Sequence, residues 1–267
     1  MNKPALLQLL WITLSGSLAM PALAQKPETG FLDRAVSLGG VTYRYQVFLP
    51  AKFDPHKKWP VVLFLHGAGE RGDNGLLQTD VGLGHVIRNS TRDWLFLVVM
   101  PQCRTNRYWT DPTMQAQALA ALEHSVTEFK VDRERIYLTG ISMGGYGTWD
   151  LAAKYPGKFA AYVVLCGGIR GPEGFQELHV GLVDDPNVAD PYAETARRIG
   201  KTPVWIFHGD ADPAVPVEES RKMAQALERA GANVRYTEYP GVGHNSWDKA
   251  YAEPGLFEWL LRQKLSK

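Results

Sequence analysis

Five short apolar runs, at residues 60–65, 95–101, 136–138, 159–165 and 203–207, show no alternation between apolar and polar positions. A strand with one face in water alternates, so unbroken runs of this kind describe strands covered on both faces. Helical segments lie between them. Asp111-Pro112 supplies an N-cap and a first-turn proline, and Leu119, Leu122, Val126 and Phe129 follow at spacings of three and four, predicting an amphipathic helix. Further helices are expected over 145–154, over 218–230 with Gly231 as the stop signal, and over 254–265. Buried strands separated by such helices predict an α/β architecture, a mostly parallel sheet with helices on both faces. Residues 35–38 and 41–49 flank Gly39-Gly40 and are expected to lead into it as an antiparallel hairpin, and 234–239 make a last strand. Residues 167–202, with Gly171-Pro172, Pro186 and Pro191, exceed an ordinary connection and are expected to be a functional loop or a small cap.

The chain has 267 residues and opens with Lys3, an apolar stretch over 5–20, and Pro21-Ala22-Leu23-Ala24. A short basic start, an apolar middle and small residues at A-x-A spacing are the three parts of a secretory signal peptide, expected to end at Ala24. Residues 25–267 are then expected to form one domain with no membrane anchor, in the periplasm or outside the cell. Lys3 is the only charged side chain of the leader and the whole chain sums to +1, so the remainder is neutral. That balance offers nothing to nucleic acid or to an acidic membrane surface. Export places Cys103 and Cys166 in an oxidising compartment, but they follow strands that are not neighbours in the expected sheet order. Both are expected to be free and partly buried.

In open parallel sheets reactive groups collect at the carboxyl ends of the strands. Four segments stand there: His66-Gly67-Ala68, Gly140-Ile141-Ser142-Met143-Gly144, the stretch from His208 through Asp210 and Asp212 to Pro216, and Gly243-His244-Asn245. The second is a G-x-S-x-G turn between a strand and a helix, in which a strained serine projects its hydroxyl and the flanking residues must be small. A serine hydroxyl is a poor nucleophile at neutral pH. It needs an imidazole to take its proton and a carboxylate to orient that imidazole. The chain supplies serine, aspartate and histidine in that order, the order found with this type of turn.

The segments LHGAGERG, GISMGG, HGDADPAVP and GVGHNSW together resemble the α/β-hydrolase superfamily. Within it the chain is similar to exported carboxylesterases of the feruloyl and acetylxylan esterase type, to the carboxylesterase/phospholipase group, and to prolyl-oligopeptidase-type catalytic domains. The resemblance implies Ser142 as nucleophile, His244 as base and Asp212 as acid; Asp210 is the rival carboxylate, and its other reading is a turn or cap residue. It also implies backbone N–H groups of Ala68 and Met143 as an oxyanion hole. His66 and His208 are expected to be structural histidines that bond loop backbone. Trp109, with Tyr108 beside it, and Trp247 are expected to line the substrate cleft. The implied activity is hydrolysis of carboxylic esters, small or polysaccharide-linked, through an acyl-enzyme. A serine peptidase of prolyl-oligopeptidase type and a non-catalytic binding protein of the same fold are the alternatives. No metal-ligand spacing or phosphate loop occurs in the sequence, so no cofactor is expected.

Overall fold

The computed structural model describes residues 28–265; the leader expected at 1–24 lies outside them. The hairpin forms as β1 (Gly30–Leu38) and β2 (Val41–Leu49), turning at Gly39 and Gly40, both at positive φ. The apolar runs become β3 (Val61–Leu65), β4 (Leu97–Pro101), β5 (Ile136–Ile141), β6 (Ala161–Leu165) and β7 (Val204–Gly209), each buried along its whole length. With β8 (Val234–Tyr239) they make one eight-stranded sheet in the order β1-β2-β4-β3-β5-β6-β7-β8. The pairs β1/β2 and β2/β4 are antiparallel and all others parallel. This is the α/β-hydrolase architecture.

Alternate residues of each strand feed two separate cores. On one face Val61, Leu63 and Leu65 of β3 belong to a core completed by side chains of α2 (Pro112–Glu128), α3 (Met143–Lys154), α4 (Pro191–Ile199) and α5 (Glu218–Arg229). On the other, Val62 and Phe64 pack with α1 (Leu83–Arg88), α6 (Trp247–Tyr251) and α7 (Leu256–Arg262). Burial on both faces is why these strands carry no polar alternation. Among the described residues no helix is long and apolar enough to cross a membrane. Cys103 and Cys166 are free and fully enclosed, more deeply than expected.

The segment 167–202 is neither wholly loop nor cap. Its second half contains α4, which packs between α3 and α5 and buries Tyr192, Thr195, Ala196 and Ile199. The Asp190 side chain accepts from the amides of Tyr192 and Ala193, and Pro191 occupies the first turn. Asp111 and Pro112 begin α2 in the same way. The last helix is shorter than expected, because Gly255 in the left-handed region delays its start and Gln263 is already extended. If the Asp190 cap holds α4 as described, Asp190→Ala should cost about 1 kcal/mol of stability, measured by urea unfolding. An unchanged unfolding midpoint would show that α4 is held by packing alone.

Candidate active site

The site begins where β5 passes into α3. Ser142 has φ 51° and ψ −119°, a left-handed conformation rare for a residue with a side chain. The turn closes only because its neighbours lack side chains. A Cβ on Gly140 would stand 2.1 Å from the carbonyl oxygen of Gly144, and one on Gly144 would stand 2.0 Å from that of Leu65. The Ser142 amide donates to the Leu165 carbonyl, tying the turn to the end of β6.

From there a chain of hydrogen bonds crosses the carboxyl edge of the sheet. His244 Nε2 lies 2.8 Å from Ser142 Oγ, and His244 Nδ1 lies 2.7 Å from Asp212 Oδ2. An ionised carboxylate only accepts, so Nδ1 carries the proton and Nε2 is left free to accept from the serine hydroxyl. Asp212 comes from the loop after β7 and its side chain is closed to solvent. Oδ2 also meets His208 Nε2 at 3.1 Å, while Oδ1 accepts from the amides of Ala214 at 2.8 Å and Val215 at 3.0 Å. Burial pushes this carboxyl up, but the bonds from His208, His244, Val215 and Ala214 outweigh it and hold it well below the usual carboxylate range. Asp210, by contrast, is exposed and accepts from the Gly241 amide as a turn residue.

The loop after β3 lies beside the serine: a Cβ on Gly67 would come 3.8 Å from Ser142 Cβ. Ala68 opens a short 3-10 turn (Ala68–Glu70) and Met143 is the first residue of α3, positions whose N–H groups have no partner within their own turn. Arg71 Nε donates to the Ala68 carbonyl at 2.9 Å, which ties Arg71 back onto the turn. Beneath the loop, His66 is fully buried. Its Nε2 accepts from the Cys103 amide at 2.9 Å, so the proton sits on Nδ1, 2.6 Å from the Gly67 carbonyl. Burial pushes this imidazole down to about 4.

Trp109 does not reach the cleft. It is wholly enclosed, donates from Nε1 to the His66 carbonyl at 3.0 Å and lies edge-on to the His66 ring. The expectation from its place after a strand-end loop is corrected: its side chain turns inward against α3, filling the space left by Gly147. Tyr108 stays partly exposed under the Arg71 guanidinium. Trp247, half-buried, packs edge-on against His244 with ring centroids 5.4 Å apart. Cys166 is another neighbour: its Sγ and the ligating atoms of Asp212 and His244 all lie within 4.8 Å of one another, a donor set of the kind that can hold a metal ion. Burial pushes that thiol up to about 12, so it is protonated at neutral pH.

With this geometry in place, residues 101–252 match the profile of the dienelactone hydrolase family. The chain belongs to that family. Within the α/β-hydrolase superfamily it is similar to an uncharacterized secreted protein of Arthroderma benhamiae, 26% identical over 232 residues that cover 77% of this chain and 24% of that one. It is similar also to carboxylesterase SOBER1 of Arabidopsis thaliana, 24% identical over 227 residues that cover 76% and 90%. Among solved structures, a thermostable esterase superposes with a TM-score of 0.69 at 32% identity, covering 88% of this chain and 63% of that one. The chain thus spans about a quarter of the secreted relative and under two thirds of the thermostable esterase.

Two supports of this site carry no mark in the sequence. Gln102 Oε1 accepts from the Gly75 amide, while its Nε2 donates to the Glu70 carbonyl and to Asn74 Oδ1, fastening the loop that carries Ala68. The buried Glu219 accepts from the amides of Ile169 and Arg170 and from the Tyr192 hydroxyl, fixing the loop after β6. Both residue types ordinarily face water, so no local pattern marks them.

His66 generates a pH prediction. Below its ordinary value of 6.5 the unfolded chain takes up a proton that the folded chain refuses until about pH 4, so this group's contribution falls as pH falls through that window. Urea unfolding at pH 7 and pH 4.5 should show that His66→Gln loses roughly 2 kcal/mol less than the parent over this interval. Equal losses in both proteins would contradict the burial argument.

Proposed function

We propose that the chain is an exported serine esterase that hydrolyses carboxylic esters through an acyl-enzyme. The observation that carries this reading is the bonded series Ser142 Oγ, His244 Nε2, His244 Nδ1 and Asp212 Oδ2, with steps of 2.8 Å and 2.7 Å. His244 takes the hydroxyl proton as Ser142 attacks the ester carbonyl. The imidazolium that forms is stabilised by the Asp212 carboxylate, which stays ionised for the reasons given above. Negative charge develops on the carbonyl oxygen and is received by the amides of Ala68 and Met143. A single donor of this kind is typically worth about 100- to 1,000-fold in rate. The N-terminus of α3, aimed at the same point, adds its dipole. His244 then gives its proton to the leaving alcohol, and water, deprotonated in turn by His244, releases the acid.

The names of the relatives, a carboxylesterase and a thermostable esterase, favour ester over amide substrates. Small or polysaccharide-linked esters suit a site that Trp247 flanks with one aromatic wall. Export rests on the leader at residues 1–24 and is in keeping with the secreted relative. The peptidase reading is separated by rates on an aryl ester and an aminoacyl anilide of similar size, with the ester expected to be much the faster.

Ser142→Ala should lower kcat on short aryl esters by about 1,000-fold or more while leaving the fold intact. Parent-like turnover by a folded Ser142→Ala protein would exclude the mechanism.

A further inference from the structure

We propose that His208 is a positioning residue of this site: from beneath the sheet edge it sets the rotamer of the Asp212 carboxylate and so aims Oδ2 at His244. The proposal rests on the reading of Ser142, His244 and Asp212 as a catalytic unit and assigns a role to a fourth side chain that touches no substrate.

His208 is the penultimate residue of β7 and is fully buried. Its Nε2 lies 3.0 Å from the Val215 carbonyl oxygen and 3.1 Å from Asp212 Oδ2. Both oxygens can only accept, so Nε2 must carry a proton and shares it between them. Its Nδ1 lies 2.7 Å from Ser220 Oγ on α5, and a hydroxyl can meet that nitrogen as donor or acceptor. The ring is therefore anchored on a helix at one side and presents a fixed donor on the other.

The shared proton matters because of where its two acceptors belong. The Val215 amide and the Ala214 amide hold Asp212 Oδ1, so the same short turn that binds one carboxylate oxygen also exposes a carbonyl beside the other. Without an N–H between them, the Val215 carbonyl and Oδ2 would face each other as two buried acceptors, one of them charged. The carboxylate would then rotate or the turn would open. Either movement displaces the oxygen that receives His244 Nδ1 at 2.7 Å. Titratable groups near this arrangement include Cys166 and Tyr146 on the Asp212 side, and Glu238, the register partner of His208 on β8, which is bonded to Arg221.

A packing role and a positioning role predict different kinetics. The test compares His208→Leu, which fills the space without a donor, and His208→Gln, whose amide nitrogen reaches toward the place of Nε2, with the parent. Each is normalised to active sites titrated with a fluorophosphonate. His208→Leu should lower kcat on an aryl ester roughly 10- to 100-fold, the scale on which loss of a group supporting a site residue is commonly felt, with KM changed less than about twofold. His208→Gln should recover most of that loss. A parent-like kcat per active site in His208→Leu, or a Gln variant no better than the Leu variant, overturns the proposal. If His208→Leu does not fold, Ser220→Ala decides. A fall in kcat of about threefold or more at unchanged KM supports the role of the anchored ring, and a smaller change overturns it. Parent-like turnover by Ser142→Ala would instead sink the underlying reading, so the two failures are distinct.

Discussion

At Ser142 the chain changes from strand to helix across one residue in the left-handed region, and the reach of Oγ to His244 depends on that turn holding. Such a backbone conformation costs about 1–3 kcal/mol and persists only where surrounding packing overrides it. Here α3 supplies the packing. Tyr146, Trp149, Leu151 and Ala152 are completely enclosed, and α3 approaches the end of β3 so closely at Gly144 that a Cβ there would strike the Leu65 carbonyl. The apolar core thus imposes a conformation that a serine in a free loop would leave, and in doing so it presents Oγ at the carboxyl edge of the sheet.

The second half of the site is electrostatic. Asp212 has to remain charged where water does not reach it, and it does so by accepting four hydrogen bonds, two from backbone and two from imidazoles. Three of the four donors come from β7 and its following loop. The fourth, His244, arrives from the loop after β8. Hydrogen bonds from Ala211 to the Val242 carbonyl and from Gly241 to Asp210 hold those two loops together, so Asp212 and His244 share one platform. The serine follows β5 directly, and β6 separates it from that platform, with the Ser142 amide bonded to Leu165 of β6 and the Cys166 amide to Phe207 of β7. Parallel pairing is what sets the spacing between the two halves.

Much of this was legible because burial on both faces leaves a direct mark. Unbroken runs such as Val61 to Leu65 have no other economical explanation, and the residues that must be small or reactive at strand ends stand out against them. The rest leaves no local mark, for physical reasons. Pro186 and Pro191 read as loop signals, yet Asp190-Pro191 is the same helix start as Asp111-Pro112, and α4 follows it. Trp109 follows the exposed loop residues 105–107 closely in sequence, and sequence proximity does not say which way a side chain turns. His208 was expected to bond loop backbone, and it does bond the Val215 carbonyl. Its second contact, with Asp212, exists only once the loop after β7 has folded back. Gln102 and Glu219 act through such closures as well, and their burial follows from tertiary packing that no local pattern encodes.

The central claim is that Ser142 is made nucleophilic by His244, and labelling with a fluorophosphonate followed by peptide mapping tests it most directly. The account predicts a single adduct on the peptide containing Ser142 in the parent protein, and labelling slower by about 100-fold or more in a folded His244→Ala protein. An adduct on a different residue, or equal labelling rates in the two proteins, would contradict it.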